Sequence, residues 1–358
     1  YIQQAIDAGA AAILAEDDGG VISGYPVPVI PVTNLGVVAG YIAANWYQSP
    51  GQALKVIAVT GTNGKTSTSQ WIAKALSLLK TNCAVIGTLG NGVWKQGTLS
   101  TLAETGFTTP DAVQLQRSVL SLKNQGAEAL AIEASSIGIE QGRINGLPVD
   151  TAVFTNLTRD HLDYHITMEA YAAAKRGLFE RDGLQLAVIN TDDATGLEFA
   201  RYLRSSRPDL KIMACSVDNQ AVEGLDTLLA SHLKTSHSGT SFHLDSPFGS
   251  ATVKTRLVGH FNVSNILNVI AVLLGQGFSL AKIIPVIEKL TPVPGRMQLL
   301  GTAGHAMVVI DYAHTPDALE KTIDALLPIA DERNGKLWCV FGCGGDRDPG
   351  KRPQMGAI

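Results

Sequence analysis

The sequence predicts an α/β fold of more than one domain, centred on a mostly parallel sheet. Three observations carry this. Short, nearly continuous apolar runs recur at 55–60, 83–88, 129–133, 151–155 and 186–190, as in strands covered on both faces. Segments with helical spacing, 66–79 and 111–124, separate the first three runs, and such alternation implies parallel βαβ units with right-handed crossovers. The length, 358 residues, suits two or three domains.

Taken in order, residues 1–50 read as the tail of an α/β unit. Residues 1–12 are apolar at helical spacing, 27–32 form a Val/Ile/Pro run, and 37–46 form a second helix. Ser49, Pro50 and Gly51 break the pattern and suggest a domain boundary. The central unit then opens with a strand, a Gly-containing turn and a helix. The stretch 232–258 is Ser/Thr/His-rich with period-2 patterning and reads as antiparallel hairpins. Helices return at 262–274 and 280–290. A Pro-Val-Pro-Gly segment, 292–295, suggests a second boundary. Beyond it, a strand at 307–311, a helix at 317–327 and a strand at 337–341 begin another α/β unit too short to finish its own sheet. The expected domains are 1–50, 51–293 and 294–358. The chain starts at Tyr1 and stops at Ile358, and both ends read as cuts.

Composition narrows the function. Lys plus Arg number 28 against 32 Asp plus Glu, a net charge of −4, which argues against attachment to nucleic acid through bulk charge. A local basic cleft for a small anion is still allowed. Apolar residues at 45% and charged residues at 17% supply an ordinary core and argue against disorder. Cys83, Cys215, Cys339 and Cys343 are too scattered for a disulfide scaffold, and no second pair completes a zinc site around Cys339 and Cys343. Buried or partly buried thiols in a reducing cytosol are expected. No apolar run reaches the roughly 18 residues of a membrane helix, and no signal peptide is visible, so a cytoplasmic protein without membrane insertion is expected.

The chemistry concentrates in a few segments. Gly61, Thr62, Asn63, Gly64, Lys65, Thr66 and Ser67 lie between a strand and a helix. Glycines there let backbone N–H groups approach phosphate oxygens, and the helix N-terminus adds partial positive charge. Lys65 can reach the β and γ phosphates and Thr66 can ligate Mg²⁺. Val59 stands where the full P-loop pattern has its first glycine, so the loop is a shortened version. Glu133 ends an apolar strand, where open α/β sheets bind ligands, and suits either a Mg²⁺ site or a solvated position. Residues 158–165 hold two histidines and two carboxylates, with His161 the preferred metal ligand and His165 read as a loop histidine. Lys175, on a helix rich in small residues, is either a solvated surface lysine or a desolvated amine able to react with CO₂. The resulting carbamate would be an extra anionic metal ligand. Asn262, Asn265 and Asn268 follow helical spacing and could read a base edge, with capping the alternative for Asn262.

Together these segments resemble the Mur ligase family, ATP-dependent amide-forming enzymes of peptidoglycan assembly. The strings that carry the resemblance are 60–66 (Thr-Gly-Thr-Asn-Gly-Lys-Thr), 108–111 (Thr-Thr-Pro-Asp), 156–165 (Asn-Leu-Thr-Arg-Asp-His-Leu-Asp-Tyr-His), 311–317 (Asp-Tyr-Ala-His-Thr-Pro-Asp) and 341–348 (Phe-Gly-Cys-Gly-Gly-Asp-Arg-Asp). The first is shared across the superfamily, folylpolyglutamate synthases included; the fourth is more selective. Within the family the strings look most like the diaminopimelate-adding branch. Ile137 departs from the histidine that many relatives carry after the two serines.

The resemblance implies a central P-loop-type ATPase domain, a partial N-terminal uridine-nucleotide domain and a truncated Rossmann-like C-terminal domain that binds the incoming amino acid. It implies ATP, two Mg²⁺ ions and an N6-carboxylated Lys175. The implied reaction adds a diamino acid, meso-diaminopimelate rather than lysine, to the D-glutamate of UDP-N-acetylmuramoyl-L-Ala-D-Glu through an acyl phosphate, in a monomeric enzyme. Lys65 and Thr66 would hold the ATP phosphates and the first Mg²⁺; Glu133, His161 and Lys175 would serve the second. Asn265, Arg296 and Asp311 match positions that contact the adenine, phosphate and ribose parts of ATP. Thr108, Thr109, Ser135, Gln141 and Arg143 match positions that grip the muramoyl-dipeptide, and Arg347 one that contacts the diamino acid. Two alternatives stand beside this one. A folylpolyglutamate synthase-like ligase is disfavoured by 108–110 and 311–317. A nucleotide-binding regulator without catalysis is disfavoured by the joint presence of Lys65, Glu133, His161 and Lys175.

Overall fold

The computed structural model describes residues 1–20, 23–218, 220–301, 305–343 and 350–358. Helix α1 (Ile2–Asp7), strands β1 (Ile13–Glu16) and β2 (Val29–Val32) and helix α2 (Leu35–Trp46) come first, with β1 and β2 paired parallel. The central part runs β3 (Lys55–Thr60), α3 (Lys65–Leu78), β4 (Cys83–Gly87), β5 (Gly90–Lys95), β6 (Thr98–Leu99), α4 (Ala112–Asn124), β7 (Ala129–Glu133) and α5 (Ser136–Glu140). It continues with β8 (Thr151–Phe154), α6 (Leu162–His165), α7 (Met168–Arg176), β9 (Leu186–Asn190), α8 (Ala194–Ser206) and β10 (Lys211–Ser216). Then come β11 (Asp226–Ser236), β12 (Gly239–Asp245), β13 (Ala251–Thr255), α9 (His260–Gly275) and α10 (Leu280–Ile287). The last part holds β14 (Gln298–Leu300), β15 (Val308–Ile310), α11 (Pro316–Glu332) and α12 (Lys351–Ala357).

Among the described residues, β3 to β13 form an eleven-stranded sheet in the order β13-β12-β11-β10-β9-β8-β3-β7-β4-β5-β6. The seven strands from β11 to β4 pair parallel, and antiparallel hairpins close both edges. Strand β3 explains the apolar run at its position. Ile57 and Val59 face one core with Trp71, Ile72, Ile266 and Ile270, whereas Val56 and Ala58 face another with Leu115, Ile132, Phe154 and Phe199. A strand with helices on both faces buries both sets of its alternating side chains, so it reads as unbroken hydrophobicity.

The order reverses at β3: β7 and β4 lie on one side, β8, β9 and β10 on the other. Ligands bind outside the carboxyl ends of the strands at such a reversal. Register puts Val59 opposite Glu133 and Thr60 opposite Phe154, so the segments after β3, β7 and β8 emerge side by side. A third apolar cluster joins Val258 to Met297, Leu326 and Ile329, which docks α11 against the central part.

The expected strand at 337–341 does not form. Trp338 is 85% exposed and Val340 99% exposed, and no strand is assigned there. A strand is stable only when paired, and the two-stranded sheet β14–β15 lends it no edge among the described residues. The thiols also divide differently from expectation: Cys83 and Cys215 are buried and Cys343 is half-buried, but Cys339 is exposed on that same unpaired segment. No described helix is long and apolar enough to cross a membrane.

Candidate active site

The loop between β3 and α3 is closed by two glycines with positive φ, Gly61 at +144° and Gly64 at +86°. At Gly61 the space of a Cβ is taken by the Thr155 hydroxyl. At Gly64, the N-cap of α3, a Cβ would lie 2.6 Å from Asn265 Oδ1. The loop after β8 holds this turn from the other side. Asn63 N–H donates to Asn156 Oδ1 at 2.9 Å, Thr62 N–H to Asn156 O at 2.8 Å, and the Thr155 hydroxyl to Asn63 O at 2.6 Å. The backbone is therefore shaped before any ligand arrives. Gly64→Ala combines a left-handed backbone strain of about 1–2 kcal/mol with displacement of Asn265. It is expected to weaken binding of the ATP that the resemblance implies by about tenfold or more, read by titration calorimetry.

Lys65 folds back over the loop and donates to Gly61 O at 2.9 Å and Thr62 O at 2.8 Å. Burial holds its amine below the ordinary lysine value, against the opposing pull of Glu133 and Asp160. Glu133 is buried at the end of β7. It accepts from the Thr66 hydroxyl at 2.9 Å, the Thr88 N–H at 2.8 Å and the Thr88 hydroxyl at 3.1 Å. Arg296 reaches across from the C-terminal part and donates to Thr66 Oγ1 at 3.2 Å, its guanidinium lying 4.4 Å from the Tyr312 ring centre.

Lys175 is not a surface lysine. It is 1% exposed, donates to Gly61 O at 2.9 Å, and sits 4.2 Å from the Tyr171 ring centre. Its amine is held well below the ordinary value, first by burial and then by the nearby Lys65 charge. Lys65 and Lys175 thus bond the same carbonyl.

His161 caps α6 at φ +53°, with Nε2 3.3 Å from Asp160 Oδ2. Burial lowers its imidazole and Asp160 opposes that shift. Asp160 is the reverse case: burial raises its carboxyl, but the facing imidazoles of His314 and His161 prevail and hold it below the usual carboxylate range. His314 Nε2 lies 3.8 Å from Asp160, and Asn63 donates to Asp317 Oδ2 at 3.3 Å, so the segment 311–317 lies over the glycine loop. Asp311 accepts from the Met297 N–H at 2.8 Å. Asn265 is buried beside Gly64, whereas Asn262 donates to Val258 O within its own helix end. The buried Asn268 amide has no hydrogen-bond partner among the described residues.

On the far side of Glu133, Thr108 faces Thr88 at 3.1 Å, and the Thr109 hydroxyl lies 2.8 Å from Glu133 O and 3.0 Å from Ser135 Oγ. Arg143 donates to Thr109 O at 2.9 Å and clasps Gln141 Oε1 at 3.0 and 2.7 Å. Arg347 lies outside the described residues.

Lys65, Thr66, Thr108, Glu133, His161, Asn265, Arg296 and Asp311 all line one cleft of about 750 Å³. Lys175 does not line it but touches the loop from beneath. Asp160, Thr88, Tyr171 and His314 also shape the site, beyond the residues expected from the sequence. Asp160 and His314 sit inside the strings 156–165 and 311–317, which is the signal that could have found them. Thr88 and Tyr171 carry no local signal. Among the described residues, no three or more His, Cys, Asp or Glu side chains are grouped for a metal. The hard oxygens of Thr66 and Glu133 suit Mg²⁺, which takes few protein ligands and completes its shell from phosphates and water.

The chain matches known proteins in sequence and in fold. The family Mur ligase middle domain matches residues 59–273, and Mur ligase, glutamate ligase domain, matches 295–358. The chain is 51% identical to a UDP-N-acetylmuramoyl-L-alanyl-D-glutamate--2,6-diaminopimelate ligase of Janthinobacterium sp. (strain Marseille), over all of this chain and 71% of that protein. It is 52% identical to the ligase of the same name from Ralstonia nicotianae, over all of this chain and 69% of the relative. A solved structure of a ligase of that name superposes with a TM-score of 0.76 at 39% identity, covering 99% of this chain and 69% of the other. The matched domains and the extent of these identities show that the chain belongs to the Mur ligase family.

Proposed function

We propose that this protein is an ATP-dependent ligase of peptidoglycan-precursor synthesis. It joins a diamino acid, meso-diaminopimelate, to the D-glutamate of UDP-N-acetylmuramoyl-L-Ala-D-Glu. The observation that carries the reading is the meeting of Lys65, the Thr66–Glu133 pair and Arg296 in one cleft, with Thr108 at its edge and Thr109, Ser135, Gln141 and Arg143 beyond. The names of the relatives support the choice of substrates.

A carboxylate acylates poorly, so one of its oxygens must first take the γ-phosphoryl group of ATP. The new P–O bond forms as the bond to the β-phosphate oxygen breaks and ADP leaves. The neutral amine of the diamino acid then attacks the acyl carbon, phosphate departs, and the nitrogen loses a proton to give the amide. Lys65 leaves its loop carbonyls for the phosphate oxygens and neutralises charge during transfer, while the glycine loop supplies N–H groups. Arg296, seated on Thr66, adds a second cation from the C-terminal side. Asn265 and Asp311 border the space for base and ribose. Thr66, Glu133, His161 and an N6-carboxylated Lys175 would hold two Mg²⁺ ions, which when bound lessen the repulsion between the two anions. The segment 311–317 over the loop helps to exclude water that would hydrolyse the acyl phosphate.

Ligand protection tests the substrate class. UDP-N-acetylmuramoyl-L-Ala-D-Glu at about a hundred times its Kd is expected to add about 2.7 kcal/mol of stability and raise Tm by several degrees. A folate is expected to leave Tm unchanged. The opposite ranking would favour the folylpolyglutamate synthase-like alternative.

A further inference from the structure

Helix α6 is a single turn strained on both flanks. His161 enters it at φ +53° and Ile166 leaves it at φ +67°, ψ −47°, an unfavourable conformation for a β-branched side chain. Such backbone persists only where its surroundings over-determine it. Within α6 the buried residue is His165. Its Nδ1 lies 3.1 Å from Glu140 Oε2 and its Nε2 2.8 Å from Ser136 Oγ. Nδ1–H donates to the Glu140 carboxylate, which leaves Nε2 to accept from the Ser136 hydroxyl. The ring stacks on Tyr171, centres 5.1 Å apart and planes at 30°. Tyr171 in turn places its hydroxyl 3.1 Å from Thr62 Oγ1 and its ring beneath Lys175.

The Ser–His–Glu arrangement resembles a nucleophile with its base, but Ser136 is 1% exposed and offers no approach to a substrate. Its geometry serves to hold. Ser136 and Glu140 belong to α5, whose N-cap Ser135 bonds Thr109. His165 therefore ties together α5, the loop bearing Asp160 and His161, and helix α7 bearing Lys175.

We propose that His165 is a positioning residue that locks the Asp160–His161 loop against α5, so that the acceptor side and the nucleotide side of the cleft keep one relative geometry. The proposal rests on the ligase reading above. His165 touches no reacting group. Its loss lets His161 drift while leaving the glycine loop, which Asn156 and Thr155 hold independently, intact.

The test uses the full-length protein with three variants. His165→Phe keeps the stack on Tyr171 and removes both hydrogen bonds; His165→Gln can restore one donor and one acceptor; Ser136→Ala removes the partner instead. His165→Phe is expected to lower kcat by about tenfold or more, because small misplacement of reacting groups is costly, with the KM for ATP within about threefold of wild type. His165→Gln recovers most of the loss, and Ser136→Ala lowers kcat in the same direction. The double variant His165→Phe/Ser136→Ala is no worse than His165→Phe alone, as for two ends of one contact. Wild-type kcat in folded His165→Phe and Ser136→Ala would overturn the proposal. So would losses that merely track the folded fraction measured by thermal melting, with His165→Gln no better than His165→Phe. Wild-type protein without muramoyl-dipeptide-dependent turnover would instead remove the ligase reading and this inference with it.

Discussion

Lys65→Ala in the full-length protein is expected to lower kcat by about three orders of magnitude, about 4 kcal/mol of transition-state stabilisation. Lys65 is the cation at the mouth of the glycine loop. Its ammonium donates to the carbonyls of Gly61 and Thr62 and feels the pull of Glu133 and Asp160, so a phosphate must draw it from its own loop and from two carboxylates. Phosphoryl transfer is mostly positioning and charge neutralisation, and alanine removes the neutralising charge without altering the loop path. The fold should survive, because Gly61 O still accepts from Lys175 and the Asn156 and Thr155 contacts remain. Steady-state kinetics with a melting curve separate the two effects: kcat collapses while Tm moves by only a few degrees.

Lys175→Met carries the second large effect, a loss of about a hundredfold or more in kcat. The buried side chain is replaced by one of similar length, so packing against Tyr171 is kept while the amine that would be carboxylated is lost. An amine reacts with CO₂ only when neutral, and burial first, then the neighbouring Lys65 charge, keep Lys175 well below its ordinary value of 10.5. Wild-type activity should therefore fall in CO₂-depleted buffer and return with bicarbonate, whereas Lys175→Met responds to neither. The same shift sets a stability trend in CO₂-free buffer. Between the lowered folded value and 10.5, the unfolded chain binds a proton that the folded chain does not. Wild-type stability thus declines as pH falls through that window. Lys175→Met lacks this penalty, so its Tm relative to wild type should rise as pH is lowered. A pH-independent difference in Tm would contradict the desolvated-amine account.

How far the sequence reveals the molecule follows from the range of the forces involved. The glycine loop is legible because strand, turn and helix N-terminus are all local, and Gly61 and Gly64 supply the positive φ that the turn takes. Strand β3 is legible because burial on both faces leaves an unbroken apolar run. Lys175 is not legible from composition: its burial comes from α7 packing beneath a loop more than a hundred residues earlier in the chain. The Asp160–His314 contact joins segments on opposite sides of the Pro-rich stretch 292–295, and no local pattern encodes it. His165 reads locally as a loop histidine, yet α5 and Tyr171 enclose it. The segment 337–341 fails in the other direction, since its apolar residues announce a strand that has no partner among the described residues.

The measurement that bears most directly on the account is phosphate release by the full-length protein, with each substrate omitted in turn. Sustained release is expected only when ATP, UDP-N-acetylmuramoyl-L-Ala-D-Glu and meso-diaminopimelate are all present, one phosphate for each amide formed. Turnover that ignores the muramoyl-dipeptide, or phosphate released at full rate without any amide product, would contradict it.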